Sequence, residues 1–242
     1  MEARIIAYYL PQFHPIPEND KYWGPGYTEW TSVAQARPMF KGHYQPHIPA
    51  DLGFYDLRLP EVREKQAELA REAGIEGFCY YHYWLGNGKR LLERPFEEVV
   101  ASGKPDFPFC LCWANHDWTT KTWKRGSGGF NSKKMIAEQL YPGEEDYVAH
   151  FNYLLSAFKD HRYITVDGKP LFLIYDPYNF KDVSNFIFVW RRLAKENGLG
   201  DFYFVGVTNS TSTIKRDENG DIHRVLPNLK SSKVVYEDIL NL

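Results

Sequence analysis

The sequence predicts an α/β protein, with parallel strands and outer helices arranged as a (β/α) barrel that stops at five or six strands. Two observations carry this. Apolar strand-like runs alternate with amphipathic helical segments, the pattern of parallel strands joined by right-handed crossovers. Five of those runs also end in clusters of aromatic, amide and acidic residues. They sit at the C-terminal strand ends, where parallel α/β proteins build their sites.

The first strand spans Arg4 to Leu10, and a long Pro-, Gly- and aromatic-rich segment follows to about Leu59. Unperiodic segments of that length inside a domain are usually site walls or lids. Pro60 opens a helix at the position proline tolerates. Its apolar stripe is Val62, the stem of Gln66, Leu69, Ala70 and Ala73, with Gly74 placed to end it. The second strand is Gly77 to Tyr81, and a short helix from Leu92 to Ala101 precedes the third, Pro108 to Trp113. A second insert, Thr119 to Gly143, holds Gly126-Ser127-Gly128-Gly129. It lacks the flanking strand, helix and lysine of a phosphate loop and reads as flexible loop.

Helix Glu144 to Phe158 buries Val148, Phe151, Leu154, Leu155 and Phe158, with acidic residues in its first turn. The fourth strand is Leu171 to Tyr175. Helix Asp182 to Asn197 buries Val183, Phe186, Ile187, Trp190, Leu193 and Ala194, and Gly198 stops it. The fifth strand is Phe202 to Val207, and Val234-Val235-Tyr236 is the candidate sixth. Only 35 residues follow Val207. At roughly 30 residues per unit they cannot complete an eight-unit barrel. An open parallel edge calls for a missing segment, a partner chain or an atypical closure. We expect one domain over 1–242, with a homo-oligomer as one way to cover the edge.

The net charge of −2 argues against nucleic acid and anionic membrane surfaces, which favour basic patches. No run reaches the length of a membrane span and no secretory leader is evident, so a cytoplasmic location is expected, with a removed leader as the alternative. Cys79, Cys110 and Cys112 lie inside strands, and their odd number and spacing fit buried reduced thiols rather than a disulfide framework or zinc site. The 17% aromatic content, with 7 Trp and 17 Tyr, is high enough to supply stacking surfaces as well as core.

The strand-end clusters are Tyr8 to His14, Tyr80 to Trp84, Trp113 to Trp118, Tyr175 to Tyr178, and Thr208-Asn209-Ser210. Flat aromatic faces suit the C–H side of a sugar, and amide, imidazole and carboxyl groups suit its hydroxyls. The clusters therefore point to carbohydrate.

Several of these motifs occur together in a known family. Tyr8-Tyr9-Leu10-Pro11-Gln12-Phe13-His14 is followed by Trp23-Gly24-Pro25-Gly26-Tyr27-Thr28-Glu29-Trp30. Tyr80 to Trp84, Trp113-Ala114-Asn115, and Tyr163 to Tyr175 with its Asp167-Gly168-Lys169-Pro170 complete the set. In order, over roughly residues 4 to 207, they resemble the WbsX-like glycosyltransferase family, related to glycoside hydrolase family 99-like domains. The resemblance implies a TIM-barrel carbohydrate-active protein of bacterial lipopolysaccharide or polysaccharide gene clusters. Two departures stand out. Where many members carry Glu after Trp-Ala-Asn, this chain has His116, then Asp117. The late Asn-Glu-Trp-type motif, on the part of the barrel that carries the carboxylates in related endo-mannosidases, does not occur.

Chemistry at a glycosidic bond needs two carboxyl groups, about 5–5.5 Å apart for retention or about 6.5–9.5 Å for inversion. Glu29, in an aromatic setting that would keep it protonated, and Asp117, beside Trp118, are the expected catalytic pair. Holding loop backbone or capping are their structural alternatives. Tyr9, Gln12, His14, Trp30, Tyr81, His82, Trp84, Trp113, Asn115, Trp118 and Asp176 are the expected substrate-binding residues. Core packing is the alternative for half of the tryptophans, and turn capping for Asp176. No short-range ligand pair supports a metal among His14, His82 and His116, and no Asp-x-Asp occurs, so no metal or cofactor is expected. The sequence thus favours glycoside-hydrolase-like action on surface polysaccharide. A glycosyltransferase of polysaccharide assembly and a non-catalytic glycan-binding domain are the alternatives.

Overall fold

The computed structural model describes residues 3–119 and 134–207, with the backbone of two further strands at 213–216 and 222–225. Along the chain run β1 (Ile6–Tyr9), α1 (Pro17–Trp23), α2 (Glu29–Ala34), α3 (Pro60–Glu72), β2 (Gly77–Trp84), β3 (Arg90–Leu91), α4 (Arg94–Ser102), β4 (Phe109–Trp113) and β5 (Trp118–Thr119). Then come β6 (Met135–Ala137), α5 (Glu144–Phe158), β7 (Thr165–Val166), β8 (Lys169–Ile174), α6 (Val183–Glu196), β9 (Tyr203–Gly206), β10 (Thr213–Arg216) and β11 (Ile222–Val225). The expected Thr208-Asn209-Ser210 cluster, the Gly126 to Gly129 loop and the Val234 to Tyr236 strand lie outside the described residues.

β1, β2, β4, β8 and β9 pair in parallel in that order, each beside the next in the chain. This is the winding of a barrel wall, in which successive crossovers fall on one side of the sheet. Among the described residues no strand pairs with the outer edge of β1 or β9, so the sheet is not closed. β3 and β7 add antiparallel extensions to β2 and β8, while β5–β6 and β10–β11 are separate two-stranded sheets.

Alternation along the strands divides the molecule in two. One face presents Phe78, Tyr80, Phe109, Leu111, Trp113, Phe172, Ile174 and Phe204 to the helices. Against them pack Ala67 and Ala70 of α3, Phe96 of α4, Phe151, Leu154 and Phe158 of α5, and Phe186, Trp190 and Leu193 of α6. The other face carries Tyr8, Tyr81 and the free, buried thiols Cys79, Cys110 and Cys112. Gly77 opens β2 where any larger residue would collide, since a Cβ there would stand 2.5 Å from the Pro108 carbonyl oxygen.

Three expectations change. The buried face of α3 is turned by about one residue: Arg63, Ala67 and Ala70 are buried, while Val62 and Leu69 are only half-buried. The Arg63 guanidinium is tolerated because it donates to the Leu57 carbonyl at 2.5 Å and pairs with Glu98 at 2.8 Å. The long first insert is not structureless but holds α1 and α2. β2 runs on to Trp84 rather than ending at Tyr81, because β3 pairs with Tyr83 and Trp84 and keeps them extended.

That extension carries His82 and Trp84 into the helix-side core. His82 Nε2 lies 2.8 Å from His150 Nε2, and His150 stacks on Trp84 at 4.7 Å and 4°. His150 Nδ1 is buried without a partner. The cheaper tautomer leaves that nitrogen as a bare acceptor, so His150 donates through Nε2 and His82 accepts. Burial holds both imidazoles neutral, pulling His82 down to about 3 and His150 well below its ordinary value. The unfolded chain therefore takes up protons that the folded one refuses, and stability falls as pH drops below about 6.5. Each ring contributes up to about 1.4 kcal/mol per pH unit. Denaturant midpoints measured at pH 7.5, 5.5 and 4.5 should fall steeply, and His150→Phe should flatten the curve. A midpoint unchanged between pH 7.5 and 4.5 would refute the buried neutral pair.

Candidate active site

The ends of four parallel strands and the two inserts enclose a cavity of about 270 Å³. Leu10 and Gln12 follow β1, Tyr81 and Tyr83 end β2, Ala114, His116 and Asp117 follow β4, and Tyr175 follows β8. The sheet ladder continues into this floor, with Ala114 donating to the His82 carbonyl at 2.8 Å and Tyr175 to the Trp113 carbonyl at 3.0 Å. One wall comes from the first insert through Asn19, Trp23, Tyr27 and Glu29, and the other from the β5–β6 hairpin through Trp118, Thr119 and Ile136. Tyr22 Oη donates to the Met135 carbonyl at 3.1 Å and links the two walls.

Local chemistry shapes the first wall. Asp20 Oδ1 accepts from the backbone N–H groups of Gly26 and Tyr27, at 2.9 and 3.3 Å, and fixes the turn between α1 and α2. Trp23 and Tyr27 then stack at 5.4 Å and 23°. Thr28 forms a capping box with Thr31, so Glu29 begins α2 facing the cavity. Its neighbour Trp30 points away. The Trp30 indole donates to the Tyr55 carbonyl at 2.8 Å and packs on Phe13 and Tyr55. Burial raises the Glu29 pKa above the ordinary glutamate value.

On the other wall, Asp117 Oδ1 accepts from the Gln139 backbone at 2.8 Å, which holds the carboxyl at the cavity edge. Trp118 stacks on Tyr83 at 5.9 Å, and Tyr81 stacks on Tyr8 at 5.2 Å. The expected residues Gln12, Glu29, Tyr81, Asp117 and Trp118 are thus brought together.

The others are placed elsewhere. Tyr9 is buried beside α3 with its hydroxyl donating to Gln66 Oε1 at 2.6 Å. His14 is buried away from the cavity, and desolvation lowers its pKa. His82, Trp84 and Trp113 belong to the helix-side core. The Trp84 indole donates to Asp146 Oδ2 at 2.9 Å and the Trp113 indole to the Trp84 carbonyl at 2.8 Å. These residues have the wrong parity on their strands to face the cavity. Asp176 accepts from the Asn179 backbone and side chain and closes a turn.

Asn115 is a fastener beneath the floor. Its Nδ2 donates to Asp176 O at 2.8 Å and Tyr141 Oη at 3.1 Å, and its Oδ1 accepts from Asp176 N at 2.7 Å. Reading the residues missed Asn19, Trp23, Tyr27, Tyr83, His116 and Tyr175 as site residues. For Tyr83 a signal existed, since it lies two residues beyond Tyr81 on the same strand face. Among the described residues no group of three His, Cys, Asp or Glu side chains is arranged to hold a metal ion.

A family model described as Glycosyltransferase WbsX matches residues 5–239. The chain belongs to the WbsX glycosyltransferase family. Residues of its Tyr8 to His14, Tyr80 to Trp84 and Trp113 to Trp118 runs line this cavity. The protein WxcX of two Xanthomonas campestris pv. campestris strains is 40% identical over 219 residues. The match covers 90% of this chain but 30% of WxcX, so the chain spans under a third of the curated relatives it matches. Among solved structures, the GH99 endo-alpha-mannosidase of Bacteroides thetaiotaomicron aligns with TM-score 0.50 at 15% identity. It covers 87% of this chain and 54% of the mannosidase. A glycoside hydrolase-like protein also aligns with TM-score 0.50 at 15% identity, over 85% of this chain and 51% of its own. At such identities these likenesses concern the fold of this WbsX-family chain. No helix among its described residues is long and apolar enough to cross a membrane.

Asn115→Ala removes all three floor bonds and leaves the Asp176 N–H unpaired. Thermal and urea unfolding should show a loss of roughly 2–4 kcal/mol. A variant as stable as the parent would show that the fastener is dispensable.

Proposed function

We propose that this cavity binds a sugar of a bacterial surface polysaccharide and that Glu29 and Asp117 act on its glycosidic bond. The observation that carries the reading is that two carboxyl groups, Glu29 from the first insert and Asp117 from the end of β4, border one aromatic-walled cavity at the C-terminal strand ends. Trp23, Tyr27, Tyr81, Tyr83 and Trp118 offer ring faces to the apolar side of a pyranose. Glu29, whose burial favours the protonated form, gives its proton to the leaving glycosidic oxygen. Asp117, held at the cavity edge, takes the proton of the attacking hydroxyl. When that hydroxyl belongs to water the reaction is hydrolysis, and when it belongs to a second sugar it is transfer.

Family membership favours keeping transfer as the second reading. The endo-alpha-mannosidase, which shares the fold, sits with hydrolysis. Among the described residues the outer edges of β1 and β9 are unpaired, which supports cover by a further segment, a partner chain or a second copy in the working protein.

Purified chain incubated with candidate glycans, with and without sugar nucleotide, separates these readings by mass spectrometry. Product without donor indicates hydrolysis, and donor-dependent product indicates transfer. Glu29→Gln and Asp117→Asn should each lower turnover by about 10²–10⁴-fold while leaving affinity nearly unchanged. Because Glu29 must be protonated to act, the parent rate should fall as pH rises through its raised pKa, and Glu29→Gln should lack that limb. Binding without turnover under every condition would make the chain a glycan-binding module instead.

A further inference from the structure

Asn19 combines two properties that rarely coincide. It is only 1% exposed, yet it lines the cavity alongside Glu29. Its Nδ2 is buried and has no hydrogen-bond partner among the described residues. Buried polar groups are nearly always bonded, so an orphaned donor needs a reason, and here it belongs to a residue that borders the proposed binding space. The chain spends rigidity on this position: Pro17 starts α1, and Asp20 ties its far end to Gly26 and Tyr27.

The acceptor that fits is a hydroxyl oxygen. An anionic group would approach the Asp117 carboxyl that borders the same space. A neutral hydroxyl can accept from the amide and pass its own hydrogen to a carboxyl or to the Gln12 side chain. Accordingly, and resting on the reading of this cavity as a sugar site, we infer that Asn19 is a ligand-binding, specificity-determining residue. Its Nδ2 donates to one hydroxyl oxygen of an uncharged sugar unit. A site built to bond a hydroxyl rejects the analogue lacking it more strongly than an apolar pocket rejects an extra group. Asn19 thus selects for the hydroxyl pattern, while the aromatic walls accept any pyranose face.

The test uses an array of neutral oligosaccharides beside uronic-acid-containing and phosphorylated ones, with calorimetry on the hits. Asn19→Leu keeps the side-chain outline and deletes the donor. It should retain or raise the melting temperature of the free protein, and bind the neutral hit about tenfold or more weakly. A merely structural amide predicts the opposite pair, a lower melting temperature with unchanged affinity. In ¹⁵N-labelled protein the Asn19 side-chain amide signal, identified by its loss in the leucine variant, should move downfield on adding the glycan. Equal affinity in Asn19→Leu, while Trp118→Ala loses the same glycan, overturns the inference and leaves the sugar site standing. Capture of anionic glycans alone overturns the neutral assignment. Failure of the parent chain to bind any glycan overturns the sugar reading and this inference with it.

Discussion

The alternation of side chains along β2 is the constraint on which the rest of this structure depends. The strand is bonded on both sides, by β1 and β4, so it cannot rotate to relieve a mismatch on either face. Phe78, Tyr80, His82 and Trp84 go to the helices, and Cys79, Tyr81 and Tyr83 go to the opposite side. Because the parallel strands follow one another in chain order, their helices gather on one face and leave the other free for a site. A single-residue slip in β2 would bury Tyr81 against α5 and turn His82 away from His150.

The two inserts convert a strand-end platform into an enclosed site. Their shape comes from short-range polar ties, notably Asp20 to the backbone at Gly26 and Tyr27, the Thr28 cap, and Asp117 to Gln139. Such bonds are individually modest. They act together because Trp30 packs the two ends of the first insert on one another through Phe13, Phe54 and Tyr55, while Tyr22 links it to the hairpin. The same burial that packs this wall raises the Glu29 pKa, so packing and acid chemistry share one cause.

The polar groups of the helix-side core have a different role. Asp146 accepts from the Trp84 indole and from Asn87 N, Trp113 donates to Trp84 O, and Trp190 donates to Tyr147 O. Large indoles are held there because each N–H reaches an acceptor. The abundance of aromatics therefore serves two unrelated ends, a bonded core behind the sheet and stacking faces in front of it.

Composition and periodicity alone determined the α/β class, the five parallel strands, the amphipathic faces of α5 and α6, and the buried reduced thiols. Each rests on local patterns, such as apolar runs, helical spacing, and Pro and Gly at element ends. The same residues marked the strand-end clusters, and the catalytic expectation Glu29 and Asp117 lies at the cavity. Which member of each cluster faces inward was decided only by tertiary structure. His82 and Trp84 were misplaced because the reach of β2 depends on β3, whose pairing is not visible in the strand's own residues. Asn115 and Asp176 face each other across the ends of β4 and β8, a contact that exists only once those strands are paired. Asn19 was overlooked for the same reason, since an amide on a short helix becomes exceptional only when the fold buries it without a partner.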